Sequence, residues 1–214
     1  MVTTPRFRGG QDSAYRFTWS IFYGAVMNNT AVVIVDMLKD SVYSRSRSGI
    51  GAQARHLIPG IQRLLLTARG KGMPVIFAND AFLPDDFIFS GTGVKPHSIM
   101  GTEGAQVISE FGPEESDIIL EKRRFSAFMG TNLDDKLRGM GVDTIVVVGI
   151  GTPVCVLTTA LDGLAHDFRV IMLEDCCAAF RQEDHEAIIE VYRHCLREPL
   201  FRIMKLDEFL NQAG

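Results

Sequence analysis

Apolar residues along this chain follow two alternating rhythms. Short, continuous runs rich in β-branched side chains recur at 31–35, 74–78, 117–120, 144–148, 169–173 and 201–206. Runs that are so short and so uniformly apolar fit strands buried on both faces. Helical spacing fills the gaps. Ile58, Ile61, Leu64, Leu65 and Ala68 fall on one face of a helix expected over about 53–70, with Pro59 near its start and Gly70 and Gly72 at its end. Further helices are expected at about 104–111, 131–140, 152–168 and 183–196. Thr131 or Asn132 supplies an N-cap for the second of these, and Pro153 sits in the first turn of the third. Strands alternating with helices predict an α/β fold, a Rossmann-like three-layer α/β/α arrangement with a mostly parallel central sheet. Residues 79–104 break the rhythm. They form a long polar segment rich in Gly and Pro, and a loop of that length in a compact domain is usually functional.

The first 29 residues lack either rhythm and hold the only tryptophan, Trp19. They read as an N-terminal extension to a domain spanning 30–214, and Met27 could be the natural start. The stretch from Phe17 to Val26 is only weakly apolar, so no signal peptide is expected.

Composition narrows the picture. The chain of 214 residues carries 22 Lys and Arg against 26 Asp and Glu, a net charge of −4. No basic patch exceeds Lys122-Arg123-Arg124, so nucleic acid is not expected as a partner. No apolar run approaches the roughly 20 residues that span a bilayer, so no membrane partner is expected. Four cysteines (155, 176, 177, 195) have no paired spacing and read as reduced thiols of a cytoplasmic protein.

Ligands of open parallel sheets bind at the carboxyl ends of the strands. The first strand ends in Asp36, the third in Glu121-Lys122, and the fourth in Gly149-Ile150-Gly151-Thr152-Pro153-Val154-Cys155. A carboxylate, an amine and a thiol would converge if those strands are neighbours. Each is bland alone, since an Asp after a strand is usually a turn residue and a Cys at a helix start is usually a small buried hydrophobe.

Three motifs at these positions resemble those of the isochorismatase-like cysteine hydrolases, from about Thr30 to Phe209. That superfamily includes nicotinamidases, N-carbamoylsarcosine amidohydrolases and ureido or biuret hydrolases. The motifs are Ala31 to Asp40, Glu121 to Phe128, and Gly149 to Val156 followed by Thr159-Ala160-Leu161-Asp162. The resemblance implies a catalytic trio of Asp36, Lys122 and Cys155. It also implies a cis peptide between Ile150 and Gly151, and an oxyanion hole built from the N–H groups of Gly151 and Cys155. A thiol at a helix N-terminus feels the positive end of the dipole, which favours thiolate. Asp36 would accept the thiol proton and Lys122 would hold Asp36. The implied reaction cleaves the C–N bond of a small amide, carbamoyl or ureido compound through a thioester, and the implied assembly is a homodimer or homotetramer.

Departures from the family pattern limit this reading. Nicotinamidase-type members bind a metal through an Asp-x-His pair and a later His. Here Asp80 is followed by Phe82, leaving only Asp80 and His97 as candidates, so no metal or other cofactor is expected. The first motif carries Leu38 and Ser41 in place of the family's Gln and Phe, which disfavours nicotinamide and leaves aliphatic carbamoyl or ureido substrates. Phe82, Phe87, Phe89 and Ser41 are expected to line the substrate pocket. His56, His166, His185 and His194 read as surface or partly buried residues, and Cys176-Cys177 as core or sheet-edge residues. Gly149-x-Gly151 lacks the third glycine of a dinucleotide fingerprint, Val154 standing there. Three alternatives remain: an isochorismatase-type vinyl-ether hydrolase, a binding protein on the same fold, and a thiol redox sensor using Cys155.

Overall fold

A computed structural model of the chain describes residues 29–43 and 48–213. The expected extension therefore lies outside the described residues, apart from Asn29.

Six strands form one sheet: β1 (Thr30–Val35), β2 (Val75–Asp80), β3 (Ile118–Lys122), β4 (Thr144–Ile150), β5 (Arg169–Ala178) and β6 (Phe201–Met204). Their order is β3-β2-β1-β4-β5-β6, and every pairing is parallel. Among the helices are α1 (Lys39–Tyr43), α2 (Ser48–Gly70), α3 (Leu133–Gly139), α4 (Leu157–Ala165), α5 (Gln182–Cys195) and α6 (Leu206–Ala213). The expected three-layer α/β/α fold is the observed one. Strand β1 shows why its sequence is apolar throughout. Val32 and Ile34 pack into one core with Leu57, Ile61 and Leu64 of α2 and Phe209 of α6. Ala31, Val33 and Val35 pack into the opposite core with Leu133 and Leu137 of α3 and Ala160 of α4. Side chains alternate across a strand, so both faces must be apolar when both are covered.

Several local expectations change. Helix α2 begins at Ser48, earlier than expected, so Pro59 lies inside it. The helix expected at 104–111 is two 3₁₀ turns, Glu103–Ala105 and Ser109–Phe111. The helix expected from 152 opens as a π-helical turn, Thr152–Val156, before α4. Strand β5 runs on to Ala178, so Cys176 and Cys177 are buried strand residues rather than residues beyond its end. Helices α1 and α6 were not read from the pattern, because each is too short for its periodicity to stand out.

The order reverses between β1 and β4. From β1 the chain winds outward to β2 and β3, then crosses back to place β4 on the other side of β1. Such a switch point opens a crevice at the carboxyl edge. Just below it, Gly149 pairs with Val35 at φ 117. A Cβ there would lie 2.1 Å from the Val35 carbonyl oxygen. Only glycine lets the two backbones approach so closely. Replacing Gly149 with Ala is expected to destabilise the fold by more than about 2 kcal/mol, through strained φ and overpacking together. Urea unfolding of the variant beside the wild type checks this, and equal midpoints would count against it.

Candidate active site

Four adjacent strands deliver the site. Asp36 follows β1 with a left-handed backbone (φ 54), a conformation that Asp tolerates better than most residues. Asp80 and Lys122 end β2 and β3 and are register partners. Cys155 sits in the π-helical turn after β4. The trio expected from the sequence does converge, although β3 does not touch β1. Strand β2 lies between them, and Lys122 reaches across it.

Lys122 is the hub. Its ammonium donates to Asp36 Oδ2 at 3.0 Å and to Asp80 Oδ1 at 2.5 Å. The Asp80 backbone N–H donates to Asp36 Oδ1 at 2.8 Å. Both carboxylates and the ammonium are buried. Burial by itself would push the Lys122 amine down, but Asp36 and Asp80 outweigh it and hold the amine above its ordinary range. The Cys155 thiol, within 4.8 Å of a carboxylate oxygen of each Asp, is pushed well above its ordinary value. Burial is the largest cause, Asp36 adds to it, and Lys122 opposes it. Against the helix dipole, which favours thiolate, stand this burial and the carboxylate of Asp36, which favour the thiol.

Asp36, Asp80 and Cys155 line a cavity of about 380 Å³, with the Lys122 ammonium behind the two carboxylates. Gly151 joins Cys155 on its wall, and the Ile150–Gly151 peptide is cis, as the resemblance implied. Ser41 also lines it, as expected. The expected phenylalanines do not. Phe82 is fully buried, Phe89 packs edge-on against it with centroids 5.4 Å apart, and Phe87 is 80% exposed. The 3₁₀ turn Phe87–Phe89 has about three residues per turn, so its side chains diverge and Ile88 is the one facing the cavity. Phe125, Val154 and Phe180 add to the apolar wall, with Ile50, Ile150 and Pro153. A larger concavity of about 870 Å³ lies alongside, shares Phe125, and contains none of the clustered groups.

The 79–104 segment is an ordered cover for this edge. Asp40 accepts from the Ser98 N–H at 2.8 Å, and Gly104 packs so tightly on Asp40 that a Cβ would lie 2.2 Å from its carboxylate. Buried Asp86 accepts from the Leu83 N–H at 2.8 Å and from Arg123 at 2.7 and 3.1 Å. Arg123 above all, then the Leu83 N–H, holds that carboxyl well below the usual range. The loop is thus tied to the residue next to Lys122.

A three-donor metal set does not assemble from the expected candidates. Asp80 is bonded to Lys122, and His97 stacks on the Phe82 ring at 5.8 Å, where the family's first His would stand. Asp36, Asp80 and Cys155 do bring three donor atoms together. A cation among them would meet the Lys122 ammonium already bonded to both carboxylates.

His185 was expected at or near the surface. It is buried, and its Nδ1 lies 2.9 Å from Thr152 Oγ1 at the start of the π-helical turn that carries Cys155. Burial pushes its pKa down, so it stays neutral. No spacing in the sequence links these residues, because α5 and that turn meet only in the folded sheet.

Comparison with known proteins agrees with this geometry. The isochorismatase domain model matches residues 30–200. The chain belongs to the isochorismatase family. It is 31% identical to an uncharacterized isochorismatase family protein, YwoC of Bacillus subtilis, over 86% of this chain and 94% of that one. It is 32% identical to the maleamate amidohydrolase of Pseudomonas putida, over 58% of this chain and 61% of that one. The crystal structure of N-carbamoylsarcosine amidase from Thermoplasma acidophilum superposes with a TM-score of 0.71 at 32% identity, covering 84% of this chain and 97% of that one.

The raised thiol gives a pH prediction. A thiol pushed up stays protonated at neutral pH, and its thiolate appears only above the ordinary cysteine range. Iodoacetamide at pH 8 should therefore label exposed Cys195 well before Cys155. Peptide mass spectrometry reads the order, and faster labelling of Cys155 would contradict the electrostatics described.

Proposed function

We propose that this member of the isochorismatase family is a cysteine-dependent amidohydrolase acting on a small amide, carbamoyl or ureido compound. It is a hydrolase of non-peptide C–N bonds. One observation carries the reading: a thiol and a carboxylate, the latter bonded to a buried ammonium, meet at the switch point on the wall of a cavity of small-molecule size.

The chemistry follows from the proton inventory. Cys155 Sγ attacks the carbonyl carbon as its proton passes to Asp36, so no free thiolate need accumulate. The developing oxyanion faces Gly151 and the Cys155 N–H, and one such donor is typically worth about 100- to 1000-fold in rate. Asp36 then gives the proton to the departing nitrogen as the C–N bond breaks, leaving a thioester on Cys155. Water attacks that thioester while Asp36 takes one of its protons. The acid leaves, and the proton returns to Cys155. Lys122 stays protonated throughout and orients Asp36.

Aliphatic carbamoyl or ureido substrates suit the cavity better than nicotinamide, since Ser41 offers a hydroxyl and no ring face. The relatives named for maleamate and N-carbamoylsarcosine support substrates of that size. The four cysteines form no disulfide, which supports a reducing, cytoplasmic setting. Phe125 and Met129 are 44% and 58% exposed beside the cavity, which supports a homodimer or homotetramer covering them. Light scattering on the purified chain checks the assembly, and a monomer would refute it.

Ammonia release measured over nicotinamide, N-carbamoyl amino acids, ureidoacrylate and biuret tests the reaction. Cys155→Ala and Asp36→Asn should each lower turnover of the accepted substrate by at least about 1000-fold. Equal ammonia release by wild type and Cys155→Ala would remove Cys155 as nucleophile.

A further inference from the structure

We propose that Asp80 is a positioning residue of the catalytic cluster, holding Lys122 so that Asp36 remains free to take the Cys155 proton, and that it does this in place of holding a metal. The inference rests on the amidohydrolase reading above.

The geometry supports a role beyond packing. Lys122 has two buried carboxylate partners, and the bond to Asp80, at 2.5 Å, is shorter than the 3.0 Å bond to Asp36. The Asp80 backbone also donates to Asp36 at 2.8 Å, on the oxygen that Lys122 does not touch. Asp80 therefore fixes Asp36 from the main chain and holds the lysine from the side chain. An ammonium bonded to one carboxylate alone would clamp that carboxylate as its sole counterion. Divided between two, it leaves Asp36 a weaker hold and a greater pull on the thiol hydrogen. Charge counting agrees. Asp36, Asp80 and Lys122 sum to one excess negative charge in a buried site, and a thiolate on Cys155 would add a second, so the cluster disfavours the thiolate until the proton has a place to go. The charged groups facing Cys155 from β1, β2 and β3 are Asp36, Asp80 and Lys122, and all three enter this count. The Asp-x-His metal set lacks its first His, because Phe82 occupies that position and stacks on His97, and the three donors that do gather already share Lys122 as counterion.

Asp80→Asn separates a positioning role from a structural one, because the two readouts should move in opposite directions. Removing the carboxylate leaves Lys122 to pair with Asp36 and to attract a thiolate. Labelling of Cys155 by iodoacetamide at pH 7 should then speed up about 10-fold or more. Amide turnover should fall about 10-fold or more in kcat with KM little changed. A variant that merely folds badly would lose turnover without that gain in selective labelling. Labelling that slows or stays the same in Asp80→Asn overturns the proposal. So does wild-type turnover that is lost on dialysis against a chelator and restored by zinc. If wild type hydrolyses no amide at all, the function reading fails, while the labelling comparison still decides the placement of Asp80.

Discussion

A buried ammonium shared by two buried carboxylates is the interaction on which this site depends. Taking such charges out of water is expensive, and their mutual attraction repays it only when geometry and hydrogen bonding are close to ideal. The fold meets that condition by carrying each charge at the end of a parallel strand. Register then fixes Lys122 beside Asp80, and Asp80 beside Asp36. The same arrangement leaves an excess negative charge, so the thiol beside it keeps its proton.

Backbone geometry gives this cluster its precision. Two close approaches bracket the site. Gly149 lets β4 press against β1, and Gly104 lets the covering loop press against Asp40. The left-handed turn at Asp36 and the π-helical turn at Thr152–Val156 then aim a carboxylate and a thiol into the same crevice. Irregular backbone of this kind tends to concentrate where function needs a side chain that a regular element would misdirect. The cover is held by polar ties rather than by a core. Asp40 takes Ser98, and Asp86 takes Leu83 and Arg123.

The cavity wall illustrates how function can be reassigned within one segment. Phe82 and Phe89 do not face substrate. With His97 they form a three-ring cluster, and the His97 ring lines the cavity with Ile88. Phe82 and Phe89 hold the loop, and the aromatic part of the wall comes from Phe125 and Phe180 of other segments.

Much of this protein was legible along the chain. The β-branched runs dictated six strands, buried except for the half-exposed edge strand β3, and the residues at the ends of β1, β3 and β4 announced the carboxylate, the amine and the thiol. These signals are local, because burial on both faces demands an apolar run and chemistry gathers at strand ends. Strand order is not local, and it decided what remained. Only the sheet shows that β2 lies between β1 and β3, and that fact makes Asp80 the partner of Lys122. Only the packing of α5 brings His185 to Thr152. The electrostatic setting of Cys155 is non-local for the same reason. A helix dipole can be read from a sequence, but burial and the number of carboxylates within reach are set by long-range contacts. The sequence by itself therefore determines which chemical groups stand at the strand ends, and the tertiary structure decides how their charges pair.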